Sequence, residues 1–483
     1  MNQYETVIGL EAHVQLSTKS KIFCADRADF GAAPNSHISA ISLAHPGTLP
    51  AVNATAVEYA IKLGLALGCQ IADYQQFDRK NYFYPDLPKG YQITQNFYPI
   101  CIGGNVTFLV NNEKKSVRLH HIHLEEDAGK SNHELSNHQT LMDYNRAGVA
   151  LLEIVTEPDF RHPDEVAAFM LHLRHLVRWL DISDGNMEEG SLRCDCNVSV
   201  RKQGETEYGE RCEIKNLNSM RFAKKAVEFE SNRQIKIIEL GGEIIRQTMQ
   251  FDPSAGTTSP MRDKEGESDY RYFPDPDLMP VFLTDGQIHA VEKQMSELPD
   301  KVVEKLMNEY DLTSQEAIFV TGEKSISDYF LGLCLQVSNV KIAANILINK
   351  ILPMTKEYNL SISEIPISEK NIVKLVEIIE QKTVSSSIVF QKLFPEMWKN
   401  PSEEPMELAI KLGLIQSDDQ DFLTEICREV IAQNPEKVAA YKKGKTGLIG
   451  FFMGEVMKIS NGKAAPQQTT ILLNELLQNQ KKE

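Results

Sequence analysis

A change of texture divides this chain of 483 residues more sharply than any single motif does. Up to about residue 290 the sequence consists of short alternating stretches punctuated by Gly, Pro, Asn and Asp. After the Pro-rich run from Tyr272 to Pro280, and from about 292 onward, helical periodicity dominates. Alternating strands cut by turn formers pair as an antiparallel sheet, whereas apolar residues three and four apart pack as helices. The expected class is therefore α+β: a mostly antiparallel β-sheet domain carrying a few helices, then an all-α domain and a small helical tail. Prolines 353, 366, 395 and 401 interrupt the helical part, and a second shift near 405 sets the expected domains at 1–292, 293–404 and 405–483. Three domains also suit the length, at roughly 150 residues each. Within the first part, Asp164 to Leu180 reads as a helix opened by Pro163, and Met220 to Leu240 as another that stops at Gly241-Gly242. In the tail, helices are expected around 406–414 and 418–433.

Charge limits the possible partners. The 51 Lys and Arg stand against 67 Asp and Glu, a net −16, which excludes a protein that coats nucleic acid with its whole surface. Residues 436–483 depart from this, with eight Lys against four Glu, a balance of +4. Such an end suits an anionic partner, and equally a solvated Lys-rich helical face. The N-terminus lacks the pattern of a signal or transit peptide, and the most apolar stretch, Tyr329 to Leu352, is broken by Asn339, Lys341 and Asn349. Cysteines in apolar settings, such as Cys334 between two leucines, read as reduced core residues, so a cytoplasmic protein is expected.

Four stretches carry candidate chemistry. In Val7 to Leu16 a period of two sets Glu11, His13 and Gln15 on one face and Leu10, Ala12, Val14 and Leu16 on the other. Alone, this is a common structural strand. In Val117 to Asp127 the alternation places His121, His123 and Glu125 together, with Glu126 and Asp127 where the strand gives way to a loop. Consecutive carboxylates repel unless solvated or matched by a cation, which favours oxygen ligands for Mg²⁺; the three His also leave zinc open as a weaker reading. In Met187 to Val200, Arg193, Asp195, Asn197 and Ser199 share a face, while Cys194 and Cys196 fall on the Val face and read as core rather than metal ligands. A fourth strand, Cys212 to Asn216, offers Glu213 beside Lys215. If pairing brings the four strands together, they form an acidic, metal-binding floor.

Gly129-Lys130-Ser131 imitates the end of a P-loop, but the position five before Gly129 is Leu124, so no Walker-type site is expected. Basic and aromatic residues interleave in Phe77 to Tyr91, with Arg79, Lys80 and Lys89, and again in Asp269 to Phe273. Such mixtures suit a nucleotide or an unpaired RNA end, and also ordinary loops anchored by aromatics.

Taken together, Tyr4 to His13, Phe77 to Asp86, Leu124 to Lys130, Met187 to Asp195, Lys215 to Ser219 and Asp269 to Pro274 resemble the signature blocks of the B subunit of the aspartyl/glutamyl-tRNA(Asn/Gln) amidotransferase. The blocks keep their order over about 270 residues, and the later segments Gly444 to Gly447 and Gly462 to Pro466 resemble the rest of that subunit. The resemblance implies a cradle-like catalytic domain in a heterotrimer. There this subunit uses Mg-ATP to phosphorylate the side-chain carboxylate of Glu-tRNA(Gln) or Asp-tRNA(Asn). An amidase A subunit, assembled with a small C subunit, releases the ammonia that displaces phosphate. It implies Glu11, His13, Glu125, Glu126, Asp195 and Glu213 as the metal-bearing cluster, with Glu11, Glu125 and Glu213 as direct oxygen ligands, His13 and Glu126 as a second metal's ligands or water-mediated partners, and Glu125, Glu126 and His13 as catalytic. Arg79, Lys80 and Lys89 become candidates for phosphate or the tRNA end, and the tail would touch the tRNA body. Some members hold a structural zinc with Cys-x-Cys after the first strand and Cys-x-x-Cys before a Pro-Gly turn. Here only Cys24 of these thiols remains, in Phe23 to Asp26 and Ser42 to Gly47, and no zinc is expected. The competing readings are a non-catalytic tRNA-binding scaffold and a free-standing metal hydrolase.

Overall fold

The computed structural model describes residues 3–132, 139–261, 270–416, 420–460 and 462–479. Asp269, Lys481, Lys482 and Glu483 lie outside them. The chain forms two compact units, Met1–Pro299 and Asp300–Glu483.

The first unit is built on a ten-stranded sheet. Its early strands are β1 (Tyr4–Gln15), β2 (Gln70–Ile71), β3 (Tyr74–Asn81), β4 (Tyr91–Tyr98), β5 (Cys101–Ile102), β6 (Asn105–Val110) and β7 (Glu113–Glu126). They are followed by β8 (Lys130–Asn132), β9 (Leu141–Asp143), β10 (Ala150–Thr156), β11 (Leu192–Lys202), β12 (Cys212–Leu217), β13 (Gln247–Asp252) and β14 (Thr257–Pro260). Two short strands, β15 (Phe273–Pro274) and β16 (Val281–Phe282), complete the unit. The main sheet runs β14-β13-β12-β11-β1-β10-β7-β5-β2, with β6 on the outer part of β7. All its pairs are antiparallel except β12 with β13, which are joined through a helix.

β1 lies in the middle because its alternation suits a sheet covered on one face. Ile8, Leu10, Ala12 and Val14 are buried in the core with Phe160, Phe169, Met170, Cys194, Cys196 and Val198, while Glu11, His13 and Gln15 keep the other face. The cysteines at 194 and 196 are thus packing residues, as their place on the Val face predicts. Three helices supply the cover: α1 (Ala54–Ala66), α2 (Pro163–Trp179) and α3 (Met220–Glu239). α2 starts where Pro163 permits, with His162 accepting from the Asp164 amide and Glu165 reaching back to the chain. α3 ends before Gly241, whose φ of +76° closes the helix.

A second, four-stranded sheet is formed by β3 with β4, β15 and β16. It is moored to β7 by Gln92, which donates to the Glu126 carbonyl at 2.8 Å, and by the Leu124 amide, which donates to Gln95 Oε1 at 3.0 Å. The aromatic and basic stretch around Arg79 and Lys80 is therefore strand in its first part.

The second unit is helical throughout its described residues. Two of its helices widen into π turns at Leu347–Ile351 and Val389–Leu393, each just ahead of a proline, Pro353 and Pro395. Proline lacks the amide hydrogen and crowds the carbonyl four residues back, so the turn before it opens. The tail helices Gln420–Gln433, Ile449–Ile459 and Pro466–Asn479 gather around Leu423, Cys427, Val430, Phe452, Val456 and Leu473. Among the described residues no helix is long and apolar enough to cross a membrane.

Candidate metal and phosphoryl-transfer site

The polar face of the main sheet concentrates its acids through register. Glu11 stands opposite Asp195 on one neighbour and Val155 on the other; His13 stands opposite Arg193 and Glu153. Beyond β10, Glu153 faces His123 and Leu151 faces Glu125, and beyond β11, Asn197 faces Glu213. Because side chains alternate along each strand, the acids and imidazoles of these pairs point to one side.

Two groups result. Glu11, Asp195 and Glu213 each offer an oxygen within 4.8 Å of the others, and His13, Glu125 and Glu153 offer one nitrogen and two oxygens within the same limit. In the second group His13 Nε2 lies 3.6 Å from Glu125 and 3.4 Å from Glu153, while His123 Nε2 lies 3.4 Å from Glu153 and 3.8 Å from Glu125.

The electrostatics of the two groups differ. Burial alone would depress His13 and His123, but the adjacent Glu153 and Glu125 outweigh it and raise them to about 9 and about 10. Burial would raise Glu153, yet the two imidazoles hold it well below the ordinary carboxylate range. Lys80 on β3 turns toward this group; burial is again outweighed, by Glu125, Tyr272 and Glu153, and its ammonium is stabilised. The Lys80 Nζ also sits 4.9 Å from the centre of the Tyr270 ring. His121, stacked on His123, is pushed down to about 4 by burial and by its imidazole neighbours. The Glu11 group is less compensated. Glu11 accepts from Asn197 Nδ2 at 2.9 Å, but burial and the carboxylates of Glu153, Glu213 and Asp195 raise it. Lys215 pairs with Glu213 at 3.1 Å, and Thr248 donates to the same carboxylate at 3.3 Å. Three clustered carboxylates with one elevated are what a hard divalent cation would relieve, so these residues fit Mg²⁺. The His13 group adds a nitrogen and fits a second divalent ion that displaces the imidazole proton.

The site thus gathers Glu11, His13, Glu125, Asp195 and Glu213, but not as one set. Glu125 joins His13 rather than Glu11 and Glu213, because β10 lies between β1 and β7. Glu126 is in neither group. β7 runs through it, so its side chain points with Ile122 and Leu124 to the opposite side, where it accepts from the Ile93 amide at 2.8 Å and pairs with Lys89. Arg79 is likewise set apart: it alternates with Lys80 and is held by Asp275 and Asp277, each at 2.8 Å, against the Tyr91 ring. Of the three basic candidates, Lys80 alone faces the acids. Glu153 and His123 join the site, and Glu153 is the one that the pattern of the sequence conceals. A lone Glu centred in the apolar run Ala150–Thr156 is the signal that could have found it. Asp127 is clamped by Arg146 and, at 3.2 Å, by Arg193. A cleft of about 340 Å³ borders Glu11 and Asn197 and is walled on its far side by Tyr208, Arg211 and Arg246.

Comparison with known proteins supplies the family. Residues 6–289 match the GatB/GatE catalytic domain and residues 328–477 the GatB domain. The chain is 46% identical over 475 residues to the B subunit of the aspartyl/glutamyl-tRNA(Asn/Gln) amidotransferase of Thermodesulfovibrio yellowstonii, covering 98% of both chains. It is 45% identical to the protein of the same name from Bdellovibrio bacteriovorus, over 98% of this chain and 99% of that one. Against its counterpart from Rickettsia rickettsii it is 44% identical, over 98% of both. A shared catalytic-domain model over most of the first unit and full-length identity at this level establish that the chain belongs to the family of B subunits of the aspartyl/glutamyl-tRNA(Asn/Gln) amidotransferase.

Proposed function

We propose that the chain is the activating subunit of a glutamine-dependent, ATP-using ligase. It phosphorylates the side-chain carboxylate of Glu-tRNA(Gln), Asp-tRNA(Asn) or both, and ammonia from an amidase partner then displaces phosphate to give the amide. The observation that carries this reading is the pair of divalent-cation groups on one sheet face with Lys80 above them. A carboxylate resists attack by ammonia because its oxygen is a poor leaving group, and phosphorylation supplies a better one. A divalent ion held by the carboxylates on the sheet face would supply positive charge that offsets the negative charge of the nucleotide phosphates.

Glu11, Asp195 and Glu213 would hold the nucleotide's metal ion, and His13, Glu125 and Glu153 a second ion beside the acceptor carboxylate. Lys80 would meet the anionic oxygens of the transferring group, its ammonium kept charged by Glu125 and Glu153. The cleft beside Glu11, with the Tyr208 ring and the guanidiniums of Arg211 and Arg246, offers stacking and phosphate contacts to the nucleotide. The domains 1–292, 293–404 and 405–483 complete the proposal, with the Lys-rich tail against the tRNA body, a small C subunit in the assembly and a cytoplasmic site of action. The test is to supply the assembled complex with Glu-tRNA(Gln), [γ-³²P]ATP and Mg²⁺ but no amide donor. Label is expected on the aminoacyl-tRNA, and lost in Glu125→Ala with tRNA binding retained. Intact amidation in that variant would make the chain a scaffold instead.

A further inference from the structure

Between β1 and α1 the chain runs through residues 16–53 with no regular helix or strand. A segment that long must be fastened by something other than a backbone ladder. One fastening is the Asn35 and Asn145 exchange with the β9 region: Asn35 donates to the Met142 carbonyl at 2.8 Å and Asn145 to the Ala33 carbonyl at 2.7 Å. Another is centred on Asp26. One oxygen of that carboxylate, Oδ2, accepts from the Cys24 thiol at 3.3 Å, the Ser39 hydroxyl at 2.9 Å and the Ser42 hydroxyl at 2.5 Å. Ser42 Oγ in turn accepts from the Ser39 amide at 2.9 Å.

These four side chains have the spacing of two ligand pairs, one residue apart at 24 and 26 and two apart at 39 and 42. Cys24 and Asp26 stand where zinc-bearing relatives would have Cys-x-Cys, and Ser42 opens the segment before the Pro-Gly turn. The donor set does not fit that ion. Zinc sites of the structural kind use four thiolate or imidazole ligands, whereas here one thiol, one carboxylate and two hydroxyls converge. Burial pushes the Cys24 thiol up to about 11, and the three donors hold Asp26 below the usual carboxylate range despite its burial. The carboxylate therefore acts as the acceptor and the other three as donors, so the four side chains carry one negative charge where a tetrathiolate zinc site carries four.

We propose that Asp26 is a positioning residue that replaces a metal: its carboxylate ties Cys24, Ser39 and Ser42 into a metal-free clasp on the 24–48 loop. The clasp also has a neighbour, because Cys24 and Ser42 line a cavity of about 120 Å³ together with Lys89 and Glu126. In this chain, hydrogen bonds to one anion do what an ion bonded to four thiolates does elsewhere, and the loop is indifferent to chelators and thiol oxidants.

The full-length chain, produced in zinc-supplemented medium, is expected to carry less than about 0.1 sulfur-ligated zinc per chain by X-ray absorption, while the variant D26C/S39C/S42C, which with Cys24 supplies four thiols at the same point, carries about one. One tightly held, sulfur-ligated zinc in the unmodified chain overturns the proposal. So does a folded triple variant that takes up none, since the four positions would then not converge. In Asp26→Ala, alkylation of Cys24, followed by peptide mass mapping against the seven buried cysteines, should accelerate by about 10-fold or more as the loop opens locally. Asp26→Asn keeps an acceptor oxygen and is expected to fall between the two. Cys24 alkylation unchanged in both variants would show that the loop is held by other contacts.

Discussion

Glu230 is a fully buried and Glu11 a half-buried carboxylate of the first unit, on opposite sides of the same sheet, and the protein treats them in opposite ways. Glu230 on α3 is fully buried and accepts from Arg233 at 2.9 and 2.6 Å, Gln234 at 2.8 Å and Thr258 at 2.7 Å. Burial would raise its pKa, but those donors lower it. Glu11 accepts from Asn197 and faces the carboxylates of Asp195, Glu213 and Glu153, and its pKa is raised. A fully buried acid saturated with donors holds the fold together, whereas a cluster of acids that raises Glu11 despite its Asn197 donor is one that a bound cation would relieve. The contrast supports the proposed ligand positions without reference to any relative.

The largest expected effect breaks the second half of that contrast. Glu11→Gln should reduce phosphoryl transfer to the aminoacyl-tRNA by on the order of 10³-fold, the loss typical of removing one preorganised electrostatic contact. Its urea midpoint should stay the same or rise, because a repelling charge is gone. A Glu11→Gln chain that unfolds more easily would mean that Glu11 is a structural acid after all.

The converse holds for Glu230→Ala. Removing the acceptor leaves Arg233, Gln234 and Thr258 with unmet donors, and should cost about 3 kcal/mol of stability by urea unfolding. Transfer per folded molecule should be unchanged. The same residue sets a pH dependence. Its folded pKa lies below the unfolded value near 4.5, so its stabilisation is present above pH 4.5 and is lost as pH falls through the folded value. Stability measured from pH 7 down to 3 should drop less steeply in Glu230→Gln than in the unaltered chain, and parallel curves would refute the assignment.

How far the sequence discloses this division depends on the strand. The period of two in Val7 to Leu16 and in Leu192 to Val200 is complete over many residues, so the sidedness of Glu11, His13, Asp195 and the two cysteines is legible without coordinates. β10 is different. Ala150–Thr156 is buried on nearly every residue, reads as core, and hides Glu153 and its own place between β1 and β7. Without β10 the acids on β1 and β7 look adjacent, which is why Glu125 is expected with Glu11 and Glu213, and Glu126 with His13, whereas Asp195 is found beside Glu11 and Glu213, and Glu125 and Glu153 beside His13. The fold class and the two textures are legible because they rest on periodicity over tens of residues. Pairing order is not, because it is decided by contacts far apart in the chain. The same limit applies to Arg79 and Lys80, which look equivalent in sequence and are separated only by which side of β3 each occupies.

Glu125 and Glu126 give the comparison at its finest scale, since one residue of alternation separates an acid of each kind. Glu125 shares its group with His13, Glu153 and His123. Glu126 is saturated by Lys89 and the Ile93 amide and moors β4 to β7. Glu126→Gln keeps an acceptor for the amide and loses the charge opposite Lys89, and that ammonium is partly solvated, so the expected cost is only about 1 kcal/mol. Phosphoryl transfer measured without an amide donor should fall by less than about 10-fold, in contrast to its loss in Glu125→Ala. A loss in Glu126→Gln as deep as that in Glu125→Ala would place the two acids in one functional set despite the β-strand that turns them apart.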